Sequence, residues 1–196
     1  MVTRERFNTV KERYGHYASW AVWAAEGVRP KYGMGDISFF DDPSDELLVT
    51  LNPEIVLVAL NISRPIPRAR PFGNFHPDYS HAQDYRLRFA LRGTRFWGGY
   101  LTDIIKDFEE KVSGKMRAYL RHHRDFEQEN VDTFTKELDA IGAKSPTVVA
   151  LGADSYAILT RNLGDQFRIL KAPHYSMRIN TEQYRLRFRN LATQVP

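Results

Sequence analysis

A three-layer α/β/α sandwich around a central, mostly parallel four-stranded sheet is the fold class this sequence predicts. Two continuous apolar runs rich in β-branched residues, Glu54–Leu60 (EIVLVAL) and Thr147–Leu151 (TVVAL), fit strands buried on both faces. Strand, loop and helix then alternate at least three times, the pattern of a parallel sheet covered by crossover helices. At 196 residues, with 42% hydrophobic and 13% aromatic residues, the chain reads as a single domain 1–196. An N-terminal helical segment, 1–52, precedes an α/β core, 53–196.

The elements follow in order. Thr3 to Glu26 has Phe7, Val10, Tyr14, Tyr17 and Ala21 at helical spacing, with Gly27 as a stop and Gly15 as an interruption that allows two shorter helices. Val28 to Asp42 reads as a loop. Ser44 caps a short helix over Asp45–Leu51. After the strand Glu54–Leu60 comes a long segment rich in proline and arginine, reaching Tyr79; a loop of that length in a compact domain is usually functional or mobile. Ser80 offers a cap for a helix through Leu91, closed by Gly93. Phe96–Leu101 is a weaker strand candidate with two glycines, and Thr102-Asp103 opens a helical spacing over Ile104, Ile105, Phe108 and Val112. Lys111–Asn130 is charged and reads as solvated helix and turn. Val131–Ile141 is an amphipathic helix ended by Gly142. A helix Ala153–Leu163, a strand Phe167–Ala172 and a closing helix Thr181–Leu191 complete the chain.

Composition removes several chemistries. The chain has no cysteine, which excludes disulfides, thiolate zinc sites, cysteine-held iron–sulfur clusters and a cysteine nucleophile. Trp20–Ala25 is too short to span a bilayer and follows no secretory leader pattern, so a cytoplasmic protein without a membrane partner is expected. Twenty-eight basic against 24 acidic residues give a net charge of +4. Arginines spread along the chain (Arg64, Arg68, Arg70, Arg86, Arg88, Arg92, Arg95, Arg178, Arg185, Arg187, Arg189) predict a folded basic face rather than a basic arm.

In open α/β sheets, ligands bind beyond the carboxyl ends of the strands. Asn61–Ser63, Thr102-Asp103 and His174–Ser176 are expected there. Asn61 is either a turn residue or an amide that orients water or substrate. His174 and Ser176 follow the last strand, but no nucleophile elbow accompanies the serine. Phe72 and Phe75 are either plugs or stacking platforms beside Asn74 and His76. His76, Asp78 and His81 have a spacing a metal could use, yet read more simply as polar residues at a helix start. His122 and His123 read as solvated surface. Phosphate-binding glycine motifs are absent. Tyr-Arg-Leu-Arg-Phe occurs twice, at 85–89 and 184–188, which reads as two helix starts with the same pattern.

The succession EIVLVALNIS, PFGNFH, WGGYLTDIIKD, TVVALGADSYAIL and ILKAPHYS, over about Glu54 to Asn190, resembles the uracil-DNA glycosylase superfamily. The resemblance implies a DNA glycosylase-like protein that hydrolyses the N-glycosidic bond of a damaged or deaminated base flipped from DNA. It makes Asn61 and His174 the catalytic residues, and Phe72 or Phe75 the stacking ring. Asp103 and Ser176 would join them in base binding, and Arg64, Arg68, Arg70, Tyr175 and Arg178 would contact DNA. No cofactor or metal is implied, and a monomer is expected. The first motif departs from the family in reading Ala59-Leu60-Asn61-Ile62-Ser63, without its glycine and proline. Asp103 stands where uracil readers keep an Asn, and Tyr175 replaces the last motif's proline. An ionised Asp only accepts hydrogen bonds, whereas an amide both donates and accepts. Alternatives are an inactive nucleic-acid or nucleotide-binding member of the fold, and an α/β enzyme acting on free nucleosides.

Overall fold

The computed structural model describes residues 1–25, 31–62, 70–77, 79, 81–106 and 108–195. Helix α1 spans Arg4–Tyr14, its first turn capped by the Thr3 hydroxyl, which accepts from the Arg6 N–H at 3.2 Å. It is shorter than its periodicity predicts because the chain turns at Gly15. A Cβ there would lie 2.3 Å from the Lys11 carbonyl and 2.9 Å from Pro71. The residues beyond it form strand β1, Ser19–Trp20, instead of more helix. Helix α2, Asp45–Thr50, is capped by Ser44 and leads into β2, Asn52–Asn61. Helix α3 is Tyr85–Leu91, and β3 is Gly99–Ile105. Then come α4, Ser113–His122; α5, Arg124–Ile141; β4, Thr147–Leu151; α6, Ala153–Leu163; β5, Arg168–Ala172; and α7, Thr181–Ala192.

The sheet has five strands rather than the expected four, in the order β1-β3-β2-β4-β5. All neighbours are parallel except β1, which pairs antiparallel to β3 with Ser19 opposite Leu101. Two residues are too few for a hydrophobic period to announce, so this edge strand was invisible in the sequence. The helical spacing after Thr102 is also corrected: the chain stays extended through Ile105, buried at every position from Gly99. Full burial removes the alternation that would distinguish a strand from a helix. The glycine pair at its start serves close approach. Gly98 has φ +82°, and a Cβ there would stand 2.1 Å from the Thr50 carbonyl.

Side chains alternate across this sheet. Val56, Val58, Tyr100, Val148 and Ala150 pack with α1, α5 and α6 on one face. Leu57, Ala59, Leu101, Val149 and Leu151 pack with α3 and α7 on the other. Helices thus cover both faces, as a three-layer α/β arrangement requires. The repeated pentapeptide lies on two helices that pack together, and its contacts are reciprocal. Arg86 of α3 sits over the Tyr184 ring at 5.0 Å, and Arg185 of α7 over the Phe89 ring at 4.7 Å. No helix among the described residues is long and apolar enough to cross a membrane.

Candidate functional site

Asp103 lies inside β3, not beyond its end, in register with Ala59 of β2. Alternation turns it toward the α3/α7 face, where it is 2% exposed. The Asn74 amide donates to its Oδ2 at 3.0 Å and to the Tyr17 carbonyl at 2.5 Å. Burial is the largest influence on this carboxyl and lifts its pKa to about 7, against the opposing pull of Lys106 and Asn74. With Oδ2 accepting from Asn74, the acid proton belongs on Oδ1. A protonated Asp103 both donates and accepts, the capacity an ionised one lacks.

A second buried carboxyl stands beside it. Asp84, just before α3, is raised to about 6 by burial and accepts from the Tyr175 hydroxyl. Both Asp84 and Asp103 in turn push the Tyr175 phenol well above its ordinary value, after burial itself. Tyr175 therefore turns its hydroxyl inward, to the acidic pair, and away from an expected role on a DNA surface. Asp84 was not singled out in the sequence, where an acid ahead of a helix reads as a cap. Here its side chain caps nothing.

The loop after β5 carries the third group. The Ser176 backbone N–H donates to His174 Nδ1 at 3.2 Å, and the Ser176 hydroxyl lies 2.8 Å from the same nitrogen. A nitrogen that accepts from an amide carries no proton, so the ring's hydrogen sits on Nε2. Burial pushes the imidazole down to about 4, so it is neutral near pH 7. The ring stacks on Tyr175 with centroids 4.1 Å apart. Arg86 holds the loop in place through three carbonyls, those of Tyr175, Met177 and Ile179, at 2.7, 2.7 and 2.6 Å.

Asn61 ends β2, and its amide nitrogen lies 2.9, 2.9 and 3.0 Å from the carbonyls of Ile62, Phe108 and Glu110. That fixes the amide's orientation, and among the described residues no group donates to its Oδ1. The two loop phenylalanines separate. Phe72 packs against Phe7 and Phe40 at 5.3 and 5.2 Å, within the α1/α5 layer. Phe75 belongs to the α3/α7 layer, on the side of Asp103. Both have positive φ, 63° and 66°, a conformation bulky residues rarely adopt and one that marks local strain.

The arginines divide as well. Arg64 and Arg68 lie outside the described residues. Arg70 is exposed and pairs loosely with Asp41 at 3.9 Å, and Arg178 is exposed. Arg86 and Arg88 are 5% and 1% exposed, with Arg88 donating to the carbonyls of Ala24 and Tyr32. Of the arginines expected on a folded basic face, Arg86 and Arg88 are corrected to internal straps. His76 is buried between the Trp23 and Phe40 rings and held neutral, down to about 3, chiefly by desolvation. His81 is exposed, and Asp78 lies outside the described residues. Among the described residues no group of three or more His, Asp or Glu side chains could hold a metal ion.

Behind Asp103, on the opposite face of the sheet, Lys106 pairs with buried Glu137 at 2.5 Å. Glu137 also accepts from Tyr100 and Thr102 at 2.9 and 2.8 Å. The Lys106 ammonium donates to the Asp103 backbone carbonyl as well, so this network fixes the strand that carries Asp103. No protein-family model matches the chain, and no curated protein or solved structure matches it either.

Proposed function

We propose that this chain takes up an altered base flipped from DNA beside Asp103 and hydrolyses its N-glycosidic bond, as a glycosylase of the uracil-DNA glycosylase type. The observation that carries this reading is the Ser176 N–H donating to His174 Nδ1, which leaves the hydrogen of a neutral ring on Nε2. As the bond breaks, negative charge develops on the leaving base. A prepositioned neutral donor stabilises that charge without surrendering a proton. Protonated Asp103 supplies a donor and an acceptor to the base edge, and Phe75 is the ring on its side of the sheet. Asn61 Oδ1 accepts from a water and points its oxygen at the sugar carbon, without being a base itself. Flipping costs about a few kcal/mol, which contacts to the strand offset.

The test is incubation with labelled single- and double-stranded oligonucleotides carrying uracil, hypoxanthine or xanthine, followed by counting abasic sites. Wild-type protein releases at least one of these bases, and His174→Ala lowers the rate roughly 10²–10³-fold. No release above background from any of them overturns the reading.

A specific observation favours a second reading, an inactive nucleic-acid-binding member of the same fold. Asp103 is only 2% exposed, and the Asn61 amide is spent on backbone carbonyls. Salt-dependent oligonucleotide binding with no excision would select it.

A further inference from the structure

A cleft of about 380 Å³ opens between α4, the first turn of α5 and α6, on the sheet face away from Asp103. Its size falls within the range of about 300–1,000 Å³ typical of small-molecule sites. Leu60, Leu120, Ala157 and Ile158 line it with apolar surface, and Arg117, Arg121, Arg124 and Arg161 surround it. Helix geometry assembles this ring. Arg117 and Arg121 are one turn apart on α4, while Asp154, Ala157, Ile158 and Arg161 form a single stripe along α6.

Two carboxylates stand against these four guanidiniums, so two positive charges remain. Glu127, 3% exposed, grips Arg161 through both of its oxygens and reaches Arg124 at 3.3 Å. Those bonds use Arg161 Nε and one terminal nitrogen, so the other keeps its hydrogens for a ligand. A buried carboxylate in this position orients the cationic wall and leaves its outer edge available. Arg117 meets Asp154 at 3.5 Å, and Arg121 has no partner among the described residues. The ring contains no lysine; forked, permanently charged arginines suit oxyanions with several acceptor atoms.

We propose that this cleft binds phosphate groups, with Arg121 and Arg161 as the principal donors and Asp154 as the internal competitor for Arg117. The phosphates would belong to a nucleic-acid strand or to a free diphosphate. The site lies on the other sheet face from Asp103 and goes beyond the base-excision reading, since it requires neither Asp103 nor His174.

Fluorescence anisotropy with a short, unmodified single-stranded oligonucleotide, and calorimetry with pyrophosphate, test it on the whole chain. The variants are R117A/R121A and Asp154→Asn. Both arginines are solvent-facing, so the fold tolerates their removal. If the ligand is a strand, R117A/R121A weakens oligonucleotide binding at least tenfold and lowers the salt slope by roughly one to two units. If it is a free diphosphate, the same variant loses pyrophosphate binding while oligonucleotide binding is absent in wild type. In either case Asp154→Asn tightens binding several-fold, a gain that misfolding cannot imitate. Equal affinities of wild type and R117A/R121A for both probes, or no tightening in Asp154→Asn, would overturn the proposal. The probe carries no altered base, so this result is independent of whether abasic sites form in the excision assay.

Discussion

At the scale of single residues, Asp103 decides most. Its carboxyl keeps a proton up to about pH 7 in the folded chain, against an ordinary value of 3.8. Between those values the folded state binds more protons than the unfolded state, so stability falls as pH rises from about 4 to about 7 and then levels. Asp84, raised to about 6, contributes with the same sign. Asp103→Asn keeps an acceptor for Asn74 and removes the buried charge. Chemical denaturation should find the variant about as stable as wild type near pH 4 and more stable by on the order of a few kcal/mol near pH 8. Parallel curves for the two proteins would show that Asp103 titrates in the fold as it does in water. The residue type at this position was legible in the sequence, but its protonation was not. Its proton depends on burial first, with Lys106 and Asn74 opposing and Glu137 and Asp84 adding to the shift, and these groups come together only in the folded chain.

At the scale of elements, the loop after β5 depends on one arginine from a different helix. Arg86 donates to three carbonyls next to α3, of which that of Met177 also accepts from the Ile179 N–H. Arg86→Ala should cost roughly 3 kcal/mol, since hydrogen bonds to a charged donor are worth about 1.5–3 kcal/mol each and part of that loss is recovered from water. Hydrogen exchange should speed up most at the amides of residues 175–179. A uniform rise across the sheet instead would mean that Arg86 supports the whole core and not this loop. Arg86→Lys should rescue little, because one ammonium cannot reach three separated carbonyls in a fork's geometry. Elements with a clean signal were legible: β4 and α6 occupy the ranges their apolar patterns predict, and α2 and α7 agree to within a residue. Those with a misleading signal were not. β3 alternates nothing because it is buried throughout, β1 is two residues long, and the start of α5 at Arg124 was hidden because its first two turns are too polar to show a period.

At the scale of the whole molecule, the sheet separates two kinds of surface. Asp103 and Phe75 lie buried on the α3/α7 side, where Tyr175 of the His174 loop packs, and an arginine cleft lies on the α4–α6 side. Leu60, near the end of β2, lines the cleft. The net charge of +4 is therefore divided. Arg86 and Arg88 are spent inside the fold, while Arg117, Arg121, Arg124 and Arg161 surround an opening. Composition could report the surplus but not this division, because helix phase and tertiary packing decide which arginines face solvent. The expectation of ligands beyond strand ends singled out Asn61, Asp103 and His174 in the sequence, and the resemblance to glycosylases only suggested roles for them. Asp84 and Glu137 lie in no quoted motif, Lys106 had no role assigned in its own, and all three emerged from the packing.

In the proposed reaction a protonated Asp103 reads the base that His174 helps to release. The pH profile of abasic-site formation, measured for wild type and Asp103→Asn on the same oligonucleotide, tests it most directly. Wild-type activity should fall about tenfold per unit once pH rises above about 7, where Asp103 loses its proton. Asp103→Asn should remain active on uracil with that fall removed, because an amide keeps its donor at every pH. A wild-type rate that holds level or climbs through that range, or an Asn variant with the same decline, would contradict the account.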